Sequence, residues 1–175
     1  MLGSIFGHLF EVTAGWSAEA VFLRLLLATI VGTVIGLERE FKNKGAGIKT
    51  HVLVCIGAAM SMIVSQYVYM QFPDAAADMN RLGAGVISGV GFLGVGTIIV
   101  TGKNEVRGLT TAAGLWACAC IGLAAGIGYV EGTILALVFV LFTFFVLSRI
   151  DSYLHHISKT FDLYIEFEEI GRAHV

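Results

Sequence analysis

Five nearly uncharged apolar stretches, at residues 18–37, 51–69, 82–100, 109–128 and 132–148, are separated along the chain by short polar connections. Each holds 17 to 20 residues, and about 20 apolar residues in a helix cross the roughly 30 Å hydrocarbon core of a bilayer. The pattern predicts an all-α polytopic membrane protein, a bundle of five transmembrane helices preceded by an external segment at 1–17. Past the fifth stretch the period changes. Phe161, Leu163, Ile165 and Phe167 alternate with Asp162, Tyr164, Glu166 and Glu168, the period-2 signature of a half-buried strand. A lone strand cannot pair its backbone or cover its apolar side, so residues 149–169 are expected to be a linker and the first strand of a truncated cytoplasmic α/β domain. The last six residues, 170–175 (Ile-Gly-Arg-Ala-His-Val), read as a sequencing adapter translated in frame, and the natural chain is expected to continue past Glu169.

Composition agrees with the pattern: 57% of residues are hydrophobic and only 14% charged, with a mean hydropathy of +0.84, too apolar for a soluble domain of this length. Arg39, Lys42, Lys44 and Lys49 follow the first stretch, Lys103 and Arg107 the third, Arg149 and Lys159 the fifth, whereas the opposite connections carry only Arg81. Basic residues near span ends stay on the cytoplasmic face, which predicts the N-terminus outside and the C-terminus inside. No Lys or Arg precedes Arg24, so the basic start of a cleavable signal peptide is missing and the first span is expected to be its own targeting signal. A net charge of −2 provides no basic field for nucleic acid. Cys55, Cys118 and Cys120 fall inside spans without zinc-type spacing and are expected to be small buried apolar residues.

Helices in lipid pack through small residues that let backbones approach. The 22 glycines concentrate in Gly83-Ala-Gly-Val-Ile-Ser-Gly-Val-Gly-Phe-Leu-Gly-Val-Gly96, with small-xxx-small steps at Gly32/Gly36, Gly85/Gly89 and Gly122/Gly126. The third span, with its Gly85/Gly89 groove, is therefore the expected centre of the bundle. Arg24, in the outer half of the first span, can snorkel to the interface or pair with an acidic group, and anchoring is the expectation. No Asp or Glu lies inside the other four spans, whereas Mg²⁺ requires oxygen ligands, usually carboxylates. Charges gather at the cytoplasmic ends instead. Glu38 and Glu40 are the weak candidates for a metal or a charged partner, amid the basic residues of a solvated collar. His51 can answer to pH, bind a metal or simply be hydrogen-bonded. Thr110 and Thr111 are expected to satisfy backbone carbonyls. There is no phosphate loop, zinc-type set or nucleophile motif, so no catalytic residue, enzyme activity or cofactor is assigned.

Four strings in one order, Gly36-Leu-Glu-Arg-Glu40, Gly47-Ile-Lys-Thr-His51, Ser88-Gly-Val-Gly-Phe-Leu-Gly-Val-Gly-Thr-Ile98 and Val106-Arg-Gly-Leu-Thr-Thr-Ala-Ala-Gly-Leu-Trp116, resemble the MgtC/SapB family of bacterial inner-membrane proteins. The resemblance runs from about Arg24 to about Ser148. It implies a multi-pass inner-membrane protein that supports growth in low magnesium and, in pathogens, virulence and survival in macrophages. It further implies regulation of membrane ion and energy balance, with ATP synthase as a proposed partner, and a cytoplasmic domain resembling the ACT fold. The family-typical positions carried over are Glu38, Arg39, Glu40, Thr50, His51, Gly89, Gly91, Phe92, Leu93, Gly94, Gly96, Arg107, Gly108, Thr110, Thr111 and Trp116. The chain departs from the family's Asp-Pro-x-Arg-Ile-Ala-x-Gln with Asp78-Met-Asn-Arg-Leu-Gly-Ala-Gly85. A polar Gln thus gives way to Gly85, which removes a side chain on which a solute site would have been built.

Two readings follow: a regulator that binds another integral membrane protein, or an oligomeric transporter of Mg²⁺ or another cation with Glu38 and Glu40 at its mouth. Homo-oligomers suit the second, because five helices seldom enclose an ion path alone.

Overall fold

The structure, a computed structural model, describes residues 12–72, 78, 80–100 and 106–157. The expected strand at 161–168, the tail at 170–175, Lys103 and most of the segment 1–17 lie outside the described residues. Within them the order is α1 (Ala18–Phe41), α2 (Ile48–Gln71), α3 (Arg81–Val95), β1 (Ile99–Val100), β2 (Val106–Arg107), α4 (Leu109–Gly126), α5 (Val130–Phe142), a π-helical turn (Thr143–Leu147) and α6 (Ser148–Ile157). The strands form one antiparallel ladder, with Ile99 opposite Arg107 and Val100 opposite Val106.

Among the described residues four helical runs are long and apolar enough to cross a membrane: Ala18–Phe41, Ile48–Gln71, Leu109–Gly126 and Val130–Ile150. The third expected span is shorter than its apolar stretch. α3 stops at Val95 after 15 residues, about 22 Å at 1.5 Å per residue. Gly94 and Gly96 weaken its last turn, Thr97 Oγ1 donates to the Gly94 carbonyl at 2.8 Å, and the β-branched run Thr97-Ile-Ile-Val100 favours extended backbone. A second difference concerns the end of the fifth span. The segment expected to be a linker continues the helix as α6, and the amphipathic sequence Ser148–Ile157 is polar enough to carry it out of the apolar layer.

The bundle is centred on α4, the most buried of the spans, rather than on the glycine-rich third stretch. Only Gly83, Val90 and Gly94 of α3 are buried. α2 packs against both α1 and α4, and the reason lies in four glycines. A Cβ on Gly32 would stand 2.6 Å from Val52 Cα and one on Gly36 2.5 Å from Ile48 Cα, while Cβ atoms on Gly122 and Gly126 would strike the backbones of Cys55 and Ala59. Gly85, Gly89 and Gly91 meet nothing within 4 Å. The core is accordingly built of small and medium residues such as Ala28, Val31, Ile35, Cys55, Ala59, Cys118 and Ala125. Large ones face out, Phe22 at 65%, Leu53 at 71% and Phe92 at 83% exposure. Such an inverted arrangement is stable only where the exterior is itself apolar.

Gly32→Ala and Gly126→Ala should therefore each cost about 1–3 kcal/mol through overpacking against backbone. Gly89→Ala, pointing into open space, should leave stability unchanged or slightly raised. Thermal unfolding of the purified variants in one detergent, followed by tryptophan fluorescence, separates the two groups.

Candidate functional site

The last turn of α1 carries Glu38, Arg39, Glu40 and, one residue beyond the helix, Lys42. At 100° per residue Glu38 and Glu40 lie on opposite sides of the helix, and the structure gives them separate tasks. Glu38, 5% exposed, turns inward. Its Oε1 lies 2.7 Å from Lys42 Nζ, an i,i+4 pair, and its Oε2 lies 3.7 Å from an Arg39 guanidinium nitrogen. Glu40 points to the next helix and accepts from the Ile48 N–H at 3.2 Å. It thereby caps α2, whose own N-cap residue, Gly47, has no side chain to do so. A Cβ at Gly47 would strike that carboxylate, which ties the glycine of the second motif to the glutamate of the first.

Arg39 is 3% exposed. It donates to Thr111 Oγ1 on α4 at 3.1 Å, and its guanidinium lies 4.8 Å from the centroid of the Phe144 ring. Phe144 belongs to the π turn, and Lys42 Nζ donates to its carbonyl at 2.8 Å. A π turn loosens the regular backbone ladder and leaves carbonyls available to such insertions. The ring fits because position 114 is glycine, where a Cβ would come within 3.0 Å of Phe144 Cζ. His51 is fully buried beside it. Its Nδ1 lies 3.0 Å from the Gly47 carbonyl, and its Nε2 has no protein partner.

Beside this cluster opens a cavity of about 380 Å³ lined by Arg39, Lys42, Lys44, Gly108, Thr110, Thr111 and Ser148. Gly108 starts α4 from a left-handed conformation, φ 97°, and a Cβ there would strike the Thr97 carbonyl; glycine is required on both counts. The remaining predicted positions are elsewhere. Thr50, Arg107 and Trp116 are exposed, as are Gly85, Gly89, Gly91 and Gly96 along α3 and its end. Gly94 packs on Ala112 of α4. Thr111 accepts from Arg39 instead of serving only backbone carbonyls. Among the described residues no group of three His, Cys, Asp or Glu could hold a metal ion.

At the other end of α1, Arg24 is fully buried and does not snorkel. Its Nε donates to the Thr13 carbonyl at 2.8 Å, one terminal nitrogen to Gln66 Oε1 at 2.7 Å and to the Gly126 carbonyl at 3.1 Å, and the other to the Gly15 carbonyl at 3.1 Å. Sequence reasoning missed Gln66, Phe144 and these carbonyls. Only the i,i+4 spacing of Glu38 and Lys42 was a visible signal.

The MgtC family model matches residues 25–153. The chain is similar to Protein SapB of Bacillus subtilis, 42% identical over 124 residues, 69% of this chain and 53% of that one. It is 40% identical to Protein MgtC of Salmonella typhimurium over 119 residues, 68% of this chain and 48% of that one. A protein of Escherichia coli strain K12 named "Putative magnesium transporter YhiD" is 46% identical over 112 residues, 62% of this chain and 52% of that one. The chain thus spans about half the length of the curated relatives it matches. No solved structure matches it.

Glu38→Gln should destabilise the fold by about 3 kcal/mol, the low end for breaking a buried ion pair because Lys42 reaches water. Glu38→Asp should recover part of that loss. Arg24→Met, which strands its carbonyl acceptors, should cost at least about 2 kcal/mol. Denaturant titration of the micellar protein checks both.

Proposed function

The chain belongs to the MgtC family of multi-pass membrane proteins, and from that premise we propose that it is a non-enzymatic inner-membrane regulator that supports adaptation to low magnesium. It acts by binding other membrane proteins of ion or energy balance, ATP synthase being the partner that the family resemblance implies, and in a pathogen the same action serves virulence and survival in macrophages. One observation carries this reading: among the described residues, the two carboxylates at the mouth of the bundle that could meet a cation are already in contact with the protein, Glu38 with Lys42 and Arg39 and Glu40 with the start of α2. At Glu38 a passing Mg²⁺ would have to displace these internal partners and shed tightly held water. The exposed apolar side of α3, with Phe92 and the glycines around it uncovered, supports a helix-binding role.

The name of the Escherichia coli relative favours a second reading, an oligomeric carrier of Mg²⁺ or another cation. Two measurements separate them. Mg²⁺ entry into liposomes holding the purified protein and an entrapped indicator should not exceed that of empty liposomes. Saturable entry that disappears in the Glu38→Gln/Glu40→Gln variant would establish transport instead. A photo-crosslinker at position 92, in cells growing under magnesium limitation, should capture an integral membrane protein such as an ATP synthase subunit; capture of lipid alone would remove the regulator reading.

A further inference from the structure

We propose that the basic cavity at the junction of α1, α4 and α6 binds a phosphate group, and that the group belongs to the head of an anionic phospholipid. This site is independent of any protein partner. Three cationic side chains, Arg39, Lys42 and Lys44, and three hydroxyls, Thr110, Thr111 and Ser148, line it, and among the described residues none of the lining is acidic. Glu38 offsets one of the three charges through its contact with Lys42, so among the described residues two positive charges face the cavity in excess. Arg39 is 3% exposed, and the proton on its Nε has no acceptor in the protein. Leaving a guanidinium donor unmet at such burial is costly, and a phosphate oxygen in the cavity supplies the acceptor.

The cavity also opens on the first turn of α4, an 18-residue helix whose N-cap, Gly108, makes no side-chain cap. The amides of that turn and the positive end of the helix add to the field of the three cations. Arg with hydroxyls and backbone N–H groups is the donor set that suits phosphate oxygens. A zwitterionic head would bring a second, positive group into a cavity whose described lining is basic and holds no carboxylate.

The surroundings select the source of the phosphate. An apolar groove of about 400 Å³, lined by Thr143, Phe144, Leu147 and Leu154, shares Thr110 and Ser148 with the cavity. Another, of about 740 Å³ along Phe145, Val146 and Ile150, shares Lys42 and Ser148 with it. Free phosphate makes no use of either groove, whereas a diacyl lipid places its head in the basic cavity and its chains along the two grooves beside the π turn. Basic pockets between spans at a membrane face recognise anionic lipid heads in this way.

The test is native mass spectrometry of the full chain from micelles containing phosphatidylglycerol and phosphatidylcholine of equal chain length, with calorimetric titration of inorganic phosphate as a second arm. Phosphatidylglycerol should be retained in preference, and Lys44→Gln, on an exposed loop where folding is not at stake, should lower that retention about fivefold. Lys49→Gln, the same charge change outside the cavity lining, should leave it unchanged. Arg39→Lys, which keeps the charge and removes the planar donor, should weaken retention while Lys44 is intact. Binding of inorganic phosphate that is sensitive to Lys44→Gln, without lipid preference, would keep the phosphate site and replace the lipid as its source. Equal losses in Lys44→Gln and Lys49→Gln, or no preference with either probe, would overturn the site.

Discussion

Backbone contact of α1 and α4 with α2 is the constraint on which the remaining geometry depends. Lipid is as apolar as any side chain, so the hydrophobic effect does not drive one helix onto another, and dispersion between closely approaching backbones has to do so. Gly32 and Gly36 open α1 to Val52 and Ile48, and Gly122 and Gly126 open α4 to Cys55 and Ala59. That approach sets Cys118 Sγ 3.4 Å from the His51 carbonyl and lets Arg39 of α1 reach Thr111 of α4. A methyl group at any of the four positions would separate the very elements whose side chains make the polar cluster.

Two buried arginines then pin the two ends of this core by different chemistry. Arg24 is held largely by neutral carbonyls from residues 13, 15 and 126 together with the Gln66 amide. It ties the segment before α1 to the far ends of α2 and α4. Arg39 is held by a carboxylate, a hydroxyl and an aromatic face. Neutral acceptors can complete the hydrogen bonds of a guanidinium without a second buried charge, which spares the desolvation of a carboxylate but leaves the guanidinium's own to be met by those hydrogen bonds. The Arg39 end incurs both, and part of that cost is offset because Lys42, the main partner of Glu38, keeps contact with water.

Much of this was legible from residues alone, and the failures have physical causes. Hydropathy located the four long spans, because a run of apolar residues is required whatever the packing. It overestimated the third, because Ile98, Ile99 and Val100 are as apolar as helix residues yet prefer extended backbone. Small-xxx-small spacing marked Gly32/Gly36 and Gly122/Gly126 correctly as possible grooves, but marked Gly85/Gly89 equally, since spacing reports what could approach and not what does. Arg24 read as an anchor because its acceptors are carbonyls, which every residue has and no sequence advertises. Glu38 and Glu40 read as a pair, although helical geometry already set them on opposite sides. Phe144 was invisible within Phe142-Thr-Phe-Phe-Val-Leu147; only the π turn and the gap at Gly114 distinguish it from its neighbours.

The same geometry reverses the electrostatic sense of the site. Read as a string, Glu38-Arg39-Glu40 is net acidic and suggests a cation. Folded, one carboxylate is spent on Lys42 and the other on the N-terminus of α2, while Arg39, Lys42 and Lys44 converge on one cavity with the start of α4 beside them. Charges on a helix act through the side they face, and those sides here sort the acids into structural contacts and leave the bases lining open space. What the folded segment presents is therefore positive charge beside grooves of apolar lining. A protein built in this way meets the bilayer through a polar group of defined sign as well as through its apolar exterior, and that contact can fix the depth and tilt at which α3 presents its uncovered side.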